Sequence, residues 1–431
     1  MQRLIWNELD REDRRAALAR PAARASEEVV GTVRAIVEDV RARGWDALVE
    51  QALRIDGQEP REVETAPLAE QARRTLDSKQ LAAIELARDN VQSFHEAMRP
   101  ADKSMETQPG LSVGKLWRPL DRAGLYVPGG NAPLFSTLLM LALPARAAGV
   151  REMVVCSPPN SEGSVHPVIA LAAQLCGIET VWAVGGAQAI AAMAFGAGEI
   201  GRVDKICGPG NAYVAAAKAY VGGLSGGPAM DMPAGPSELL VIADDSASPS
   251  VVAADLLSQA EHDRTAQVLL VTPSSELASK VALAVLGQVS TLPRADIARD
   301  ALRHGRVIIV RSLDEAVDVA NAYAPEHLTL SVDDPDALVP RINNAGAIFA
   351  GHLAAETFGD YLAGSSHVLP TDGAARAWSG ISVYSFMKAI SIQSISKDAL
   401  VAIAPAAAAL ARLEGLEAHA RAAEARIGGR A

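Results

Sequence analysis

The spacing of apolar residues predicts helices in the first hundred residues. Apolar side chains recur three and four positions apart after Ser26, which is typical of one buried face of a helix that this serine is placed to cap. The apolar residues are Val29, Val33, Ile36, Val37 and Val40. A second helix is predicted over 78–98, in SKQLAAIELARDNVQSFHEAM.

The pattern changes at about residue 120, where short apolar runs end at glycine or proline and helical patterns follow. Seven runs predict strands: EMVVCSPP, TVWAVGG, DKICGPG, SELLVIADD, AQVLLVTP, GRVIIVRS and AGAIFAGH. Such alternation is typical of parallel sheets with right-handed crossovers, an α/β fold. Seven strands form either one large sheet or two smaller sheets that face a cleft. After about residue 380 the pattern is helical again.

Composition and charge narrow the class of protein. The chain has 431 residues, 49% of them hydrophobic and 21% charged, which indicates a globular protein of about two or three domains. Its 40 Lys and Arg against 51 Asp and Glu give a net charge of −11, which disfavours nucleic acid or an anionic membrane as the main partner. No signal-peptide pattern, no apolar run of membrane-span length and no CxxC pair occur, so we expect a cytoplasmic protein.

Three glycine-rich segments stand where a predicted strand leads into a helix: GLYVPGGNAP, VGGAQA and CGPGNAY. Glycines let backbone amides approach a phosphate, and the following helix adds its positive dipole end. None is a Rossmann fingerprint, because Tyr213 occupies the place of the third glycine after Gly208 and Gly210. Each segment is therefore either a tight connection or a dinucleotide-binding turn.

The segment LLSQAEHD, residues 256–263, carries a polar stripe on a predicted helix. At 100° per residue, Asp255, Gln259 and His262 fall within about 60° of one another, opposite leucines and alanines. This pattern is typical of any solvent-facing helix. It also allows Gln259 and His262 to bind one ion together.

Three further segments bring carboxylates and imidazoles close in sequence. In YAPEHLTL, Glu326 and His327 follow a proline, which predicts a turn or a helix start and a pair able to share acid–base work. GDYLAGSSHVLP carries Asp360 and His367 in a glycine-bounded loop. Near the end, Glu414 and His419 diverge by about 140° on a straight helix, so either Gly415 interrupts that helix or the two reach a site from different sides.

Taken together, these motifs resemble the histidinol dehydrogenase family over residues 25–425. The similarity also runs through DMPAGPSELLVIAD, HVLP and EGLEAHA. The resemblance implies two Rossmann-like parallel-sheet domains, similar to those of aldehyde dehydrogenases, with helical terminal segments. It implies an N-terminal segment at 1–25, a large domain at 26–122 plus 238–380, a second domain at 123–237 and a C-terminal tail at 381–431 that reaches the partner subunit of a homodimer.

The resemblance also assigns residue roles. It implies one zinc ion, with His419 supplied by the partner subunit, and the ligands Gln259, His262, Asp360 and His419. Glu326 and His327 match the catalytic pair. Substrate contacts are implied for His327, the zinc ligands, Ser237, His367 and Glu414. Contacts with NAD are implied for Tyr126, Gln188 and Asn211. Ser366 stands where relatives commonly have asparagine, and we assign it no role.

The reaction implied is the oxidation of L-histidinol to L-histidine through the aldehyde, with two NAD and one water. A base at the carbinol oxygen is needed for the first hydride transfer, and His327, with an ordinary pKa of about 6.5, suits it. Glu326 suits the deprotonation of the water that adds to the aldehyde. Two substrate nitrogens added to four protein ligands make six, whereas zinc more often takes four. Manganese or cobalt is therefore expected to substitute for zinc.

Other functions compete with this interpretation. A relative of the same fold would act on another small alcohol, such as a sulfonated diol. A cysteine-dependent aldehyde dehydrogenase would use Cys207 as nucleophile, which leaves the zinc-ligand set unexplained. A metal-bound hydrolase needs only a carboxylate and two histidines, and leaves the glycine-rich turns unexplained. A two-lobed solute-binding protein lacks the expected export signal.

Overall fold

A computed structural model describes residues 1–21, 27–129, 133–233 and 235–428. The strands are β1 (Gln2–Ile5), β2 (Arg61–Glu64), β3 (Lys103–Gln108), β4 (Leu111–Pro119), β5 (Arg122–Tyr126), β6 (Glu152–Ser157), β7 (Thr180–Ala183), β8 (Lys205–Cys207), β9 (Ala229–Met230), β10 (Glu238–Ala243), β11 (Gln267–Thr272), β12 (Arg306–Ile309), β13 (His327–Ser331), β14 (Ala347–Ala350) and β15 (Met387–Ile395). All seven strands predicted from apolar runs are present.

The helices lie mostly between these strands. They are α1 (Arg11–Ala17), α2 (Glu27–Arg43), α3 (Trp45–Ile55), α4 (Thr65–Thr75), α5 (Ser78–Ala97), α6 (Phe135–Ala148), α7 (Pro167–Leu175), α8 (Gly186–Phe195), α9 (Ala212–Gly222), α10 (Pro249–Ala260), α11 (Ser275–Val289), α12 (Ala295–His304), α13 (Leu313–Tyr323), α14 (Glu356–Tyr361), α15 (Lys397–Leu413) and α16 (Glu417–Gly428). Among the described helices, none is long and apolar enough to cross a membrane.

Two six-stranded sheets form the core of the protein, which decides between the one-sheet and two-sheet alternatives. The first has the order β1-β12-β11-β10-β13-β14, with all neighbours parallel. The second has the order β2-β7-β6-β5-β8-β9, in which β2 is antiparallel to β7 and the other pairs are parallel. The predicted α/β class with two parallel-sheet arrangements is confirmed.

The central strands of the first sheet are apolar on both faces. Every residue of β10 and β11 is buried, because helices cover the sheet on each side. One face packs against α10, α11 and α12, and the other against α13 and the N-terminal segment around Trp6. This is why LLVIA and VLLV read as continuous apolar runs without polar alternation.

The first predicted helix is present as α2, and its apolar face is buried. Val33, Ile36, Val37 and Val40 are each at most 3% exposed and belong to the core that surrounds α8 and α9 of the second sheet. The expected cap at Ser26 lies outside the described residues.

The expected domain boundary at residue 122 differs from the structure. Residues 26–122 were expected to belong to the large domain. Instead, β2 pairs with β7 of the second sheet, and the valines of α2 are buried against the helices of that sheet. The other predicted boundaries stay a prediction.

Residues 99–119 and 387–431 form a second compact unit, separate from the unit that holds both large sheets. In it, β15 pairs antiparallel with β4, and β3 completes a three-stranded sheet. The expectation that the chain is helical from about residue 380 is wrong for β15. Its isoleucines alternate with polar residues, Ile390 and Ile392 flanking Ser391, and this period of two is typical of a strand.

Candidate active site

The predicted catalytic pair lies at the amino end of β13, beside the amino end of β10. The two strands are neighbours, with Leu239 opposite His327. Ala324 ends α13 in a left-handed conformation with φ 55°, and Pro325 then leads into β13. Of the two expectations for this segment, the turn is correct and the helix start is wrong, because His327 begins a strand.

The side chains of Glu326 and His327 meet, although they are adjacent in sequence. The Glu326 carboxylate accepts a hydrogen bond of 2.8 Å from the backbone N–H of Glu238, and His327 Nδ1 lies 3.1 Å from the backbone oxygen of Glu238. Glu326 Oε2 and His327 Nδ1 are 3.5 Å apart. Both residues are buried, at 6% and 4% exposure. The backbone of Glu238 therefore orients both groups of the pair.

Burial and neighbouring charge change the acid–base properties of this pair. Burial raises the pKa of Glu326 to about 8. Burial by itself lowers the pKa of His327, but the carboxylates of Glu326, Asp360 and Glu356 outweigh it and raise this pKa to about 10. The sequence predicted an ordinary histidine pKa, and only the surrounding carboxylates change that expectation. A base with a pKa near neutrality is efficient, which favours Glu326 for the activation of water.

Two residues of the polar stripe, Asp255 and Gln259, face the interior, and His262 is exposed. Gln259 is 1% exposed and Asp255 9%, so this side of α10 is not a solvent-facing surface. The helix ends at Ala260, and His262 lies in the turn beyond it. Donor atoms of His262, Glu356 and Asp360 all lie within 4.8 Å of one another. The alternative in which the stripe lines a metal site is the one that the geometry supports.

Glu356 was missed in the sequence and stands at the centre of this cluster. It is 2% exposed, and burial raises its pKa to about 8. In the amide orientation that its neighbours favour, Gln259 donates from its nitrogen to the Glu356 carboxylate, which leaves the amide oxygen as the atom able to bind a cation. The signal in the sequence was the spacing of Glu356 and Asp360, four apart and so on one face of α14.

The residues of this cluster fit a divalent cation. Imidazole nitrogen and carboxylate oxygens are ligands that zinc accepts, and manganese and cobalt accept them too. His327 Nε2 is buried without a hydrogen-bond partner among the described residues, and it lies 3.6 Å from Asp360 Oδ1. No ion pair of the described residues joins Glu326, Glu356 or Asp360 to a lysine or arginine. Buried carboxylates in this situation either take up a proton, which the raised pKa values of Glu326 and Glu356 favour, or bind a cation.

A cavity of about 180 Å³ connects the catalytic pair and the metal cluster with residues of the second sheet. Ser237 and His367, both implied as substrate contacts, line it. His367 Nε2 is 2.9 Å from Thr137 Oγ1, and its Nδ1 is 3.0 Å from the backbone oxygen of Asp360. Thr137 of α6 was not singled out in the sequence, because no local pattern relates it to a loop 230 residues away.

Ser366, to which no role was assigned from the sequence, makes a local contact. Its hydroxyl oxygen accepts a 3.0 Å hydrogen bond from the backbone N–H of Val368. It is 5% exposed. The contact stabilises the turn that presents His367.

Comparisons with known proteins identify the family of the chain. The family profile described as histidinol dehydrogenase matches residues 19–427. A histidinol dehydrogenase from Xanthomonas euvesicatoria pv. vesicatoria is 48% identical over 430 residues, and one from Mannheimia succiniciproducens is 45% identical over 428 residues, each match covering 99% of both chains. The chain belongs to the histidinol dehydrogenase family. A crystal structure of the enzyme from Elizabethkingia anophelis superposes with a TM-score of 0.95 at 38% identity, covering 99% of this chain and 98% of that one.

The second sheet has a topological switch point at the carboxyl ends of β5 and β8. Strand order reverses there. On one side of β5 lie β6 and β7, and on its other side lie β8 and β9. Open parallel sheets bind ligands at such a point. Gly208, with φ +128°, follows β8, and a Cβ there would stand 2.1 Å from the backbone oxygen of Tyr126, so only glycine fits. Residues 130–132 of the first glycine-rich segment lie outside the described residues.

The three residues expected to contact NAD lie around these turns. Tyr126 is buried, and its hydroxyl accepts from the backbone N–H of Gly186 at 3.1 Å. Gln188 is fully buried and donates to Asp56 at 3.0 Å. Asn211 is exposed and caps α9 through the N–H groups of its first turn. Their contact with NAD stays a prediction.

A buried ion pair fixes the turn after β8. Lys218 of α9 and Asp231 are 2% and 5% exposed and lie 2.5 Å apart. Lys218 donates to the backbone oxygen of Gly208 at 2.7 Å, and Asp231 accepts from the backbone N–H of Gly208 at 2.8 Å. Both residues line the cavity and were missed, because a single lysine on an alanine-rich helix gives no pattern.

Cys207 does not have the environment of a nucleophile. It is fully buried, and burial outweighs the nearby Lys205 and Lys218 and raises the pKa of its thiol to about 12. A thiolate is therefore disfavoured at neutral pH, which counts against the cysteine-dependent aldehyde dehydrogenase mechanism. Its position at the end of β8 is that of a small core side chain.

Glu414 and His419 belong to the second unit. Glu414 caps the end of α15, Gly415 follows with φ +78°, and His419 lies in the first turn of α16. Gly415 therefore interrupts the helix, as one of the two sequence alternatives required. Both side chains are exposed within the chain. Their predicted roles stay predictions.

Proposed function

We propose that this protein oxidises L-histidinol to L-histidine in two successive steps, each of which transfers one hydride to NAD. The observation that supports this function is the convergence of a carboxylate–imidazole pair with a cation-binding cluster in one cavity beside the turn after β8. Named histidinol dehydrogenases that match nearly the whole chain support the choice of substrate.

Zinc would be held by His262, Asp360 and the Gln259 oxygen, together with His419 of a partner subunit. The ion would supply a Lewis acid that anchors the amine and imidazole of the substrate. Glu356 orients Gln259 through its hydrogen bond. His367 and Ser237, which line the same cavity, are the proposed contacts of the imidazole or amine of the substrate. The bound amino alcohol then needs no further binding group to stay in place between the two steps.

The catalytic pair divides the proton transfers. In the first step His327 accepts the proton of the carbinol O–H, which lets the carbon give up its hydride. His327 releases its own proton more readily beside a divalent cation, because a nearby positive charge lowers the pKa of an imidazole. In the second step Glu326 removes a proton from the water that adds to the aldehyde carbon. The resulting hydrate carries the second hydride.

NAD would supply the hydride acceptor, with Tyr126, Gln188 and Asn211 as the proposed contacts. The main chain at Gly208 is held by Lys218 and Asp231, so the turn is preorganised before a ligand binds. We also propose that the protein acts as a cytoplasmic homodimer in which the second unit, with Glu414 and His419, completes the site of the partner.

The stoichiometry of NADH tests this function. We expect two NADH per L-histidinol consumed, with L-histidine as the product identified by chromatography. A panel of other small alcohols, including a sulfonated diol, serves as the comparison and is expected to be turned over at least about a hundredfold more slowly, since those alcohols lack the two nitrogen donors. One NADH per substrate, or faster turnover of a sulfonated diol, would contradict the proposal.

Arg20 is predicted to position the catalytic pair through Glu238. Its guanidinium donates to both oxygens of Glu238, at 2.5 and 2.8 Å, and the backbone of Glu238 contacts Glu326 and His327. Replacing Arg20 by methionine leaves a carboxylate of 2% exposure without its cation, a loss of about 3–5 kcal/mol. We expect kcat to fall roughly tenfold or more, with little change in the KM of NAD.

The Arg20→Lys variant separates positioning from stability. Lysine keeps the charge but lacks the planar fork, so we expect partial recovery of kcat. Arg341→Met, which removes a surface pair with Asp314, is the matched control and is expected to have wild-type kcat. Assays are run below the melting temperature of each variant. An Arg20→Met enzyme that is folded and has wild-type kcat would remove the positioning role.

A further inference from the structure

A second cavity, of about 680 Å³, is lined by the N-terminal segment and by the loop that contains Asp372. Among the described residues, five arginines and one carboxylate, that of Asp372, line it. The arginines are Arg11, Arg14, Arg15, Arg20 and Arg376. We call it the arginine cavity. Such a concentration of guanidinium groups is unexpected in a chain whose net charge is −11. Apart from Arg20, which holds Glu238, the proposed oxidation makes no use of the residues that line the cavity.

Hydrogen bonds hold several of these guanidiniums without neutralising them. Arg14 donates to the backbone oxygen of Trp6 at 3.2 Å and lies over its ring, 5.1 Å from the ring centroid. Arg376 donates to the backbone oxygens of Asn321, at 3.1 Å, and Ala322. A carbonyl oxygen fixes a guanidinium but carries no full negative charge. Both arginines are therefore oriented in advance and remain cationic partners for a ligand.

The carboxylates nearby are already occupied or exposed. The Glu238 carboxylate accepts hydrogen bonds from Arg20 and from the backbone N–H of Asp372. Glu315 pairs with Arg311 at 3.0 Å. The side chain of Asp372 is 58% exposed, and its distance to Arg20 is 4.0 Å. Among the ion pairs of the described residues, none involves Arg11 or Arg15, which project from α1 four residues apart. The lining therefore carries five guanidinium groups against one carboxylate.

We propose that the arginine cavity is a second binding site, and that its ligand is a small molecule with two phosphate groups. Guanidinium forks bind phosphate oxygens bidentately, and five of them in one cavity match two phosphates better than one. The volume lies in the range of small-molecule pockets. The ligand connects α1 with the turn at Ala374–Arg376, so binding stabilises the folded N-terminal segment and raises the melting temperature.

Titration calorimetry with fructose 1,6-bisphosphate tests this site on the full chain. This probe carries two phosphates and binds zinc weakly, so it does not strip the metal cluster. We expect saturable binding of one molecule per chain that weakens as salt rises. The Arg11→Ala/Arg15→Ala variant is expected to bind at least about tenfold more weakly. The control Arg73→Ala/Arg303→Ala loses the same charge from exposed positions elsewhere and is expected to keep wild-type affinity.

Two further measurements distinguish this site from the dinucleotide turns and from general attraction to positive charge. Saturating NAD is expected to leave bisphosphate binding intact, because the glycine-rich turns are separate from the arginine cavity. The Arg11→Lys/Arg15→Lys variant is expected to bind with intermediate affinity, since it keeps the charge and loses the fork. The proposal is overturned by the absence of saturable binding, by equal affinity in the Arg11→Ala/Arg15→Ala variant, or by displacement of the probe by NAD. Because binding is measured directly, none of these results bears on the proposed oxidation.

Discussion

Replacing Glu326 by glutamine is expected to reduce the oxidation of the aldehyde by about a hundred- to ten-thousandfold, while the oxidation of the alcohol falls much less. The glutamine amide keeps the shape of the side chain and accepts the N–H of Glu238 through its oxygen. It has no basic atom to remove a proton from water. Burial raises the pKa of Glu326 to about 8, which makes the carboxylate a stronger base, and the glutamine variant lacks this base. NADH formation is measured separately from histidinol and from histidinaldehyde.

Two variants accompany this measurement. Glu326→Asp keeps a carboxylate but draws it back by one methylene, so we expect partial aldehyde oxidation. Glu276→Gln changes an exposed carboxylate paired with Lys280 and serves as the matched control, with both half-reactions at wild-type rates. Equal loss of the two half-reactions in Glu326→Gln would contradict the assignment of the water-activating role to Glu326.

Removal of the metal is expected to abolish turnover, and manganese or cobalt is expected to restore it as zinc does. The cluster offers imidazole, carboxylate and amide donors, all of which these ions accept. An ion that mainly holds the substrate has less stringent electronic requirements than one that activates a water molecule. The measurement combines dialysis against a chelator, metal analysis and NADH formation after each ion is added back. Recovery with zinc alone would count against the substrate-holding role.

The Asp360→Asn variant tests the same cluster without activity as the only readout. Loss of a carboxylate ligand is expected to lower metal affinity by roughly a hundredfold or more, measured by competition with a chromophoric chelator. Glu356→Gln is expected to weaken the metal by about tenfold, because it disturbs the orientation of Gln259 without removing a ligand. Asp296→Asn, at an exposed position, is the control. Wild-type metal affinity in Asp360→Asn would remove this residue from the ligand set.

Much of the fold was predictable because local patterns report local structure. Buried parallel strands such as β10 and β11 are continuous apolar runs, and α2 shows the spacing of one buried helix face. The strand β15 was missed because the helical pattern of α15 follows it directly. The strand β13 was missed for another reason: Pro325 and the polar pair at its start resemble a turn, whereas β13 is buried by its neighbours β10 and β14.

Some residues of the candidate site were predictable from the sequence, and others were found only through their contacts in the structure. Gln259 and His262 were singled out by their spacing, and the family resemblance supplied their role. Glu356 was overlooked because its significance lies in its contact with Gln259, nearly a hundred residues earlier. Arg20 was overlooked because its partner Glu238 is 218 residues away. Neither contact leaves a periodic signal in the sequence.

By itself, the sequence determined the apolar periods of the strands and helices, the acidic charge and the supply of imidazoles, carboxylates and glycine turns. Only the tertiary structure decided that Glu326 and His327 share the backbone of Glu238, and that three carboxylates surround one imidazole. The physical reason is that propensity acts between near neighbours in the chain. Burial and electrostatic interactions depend on distance in space, so they set the pKa values of the site only after the sheets have packed.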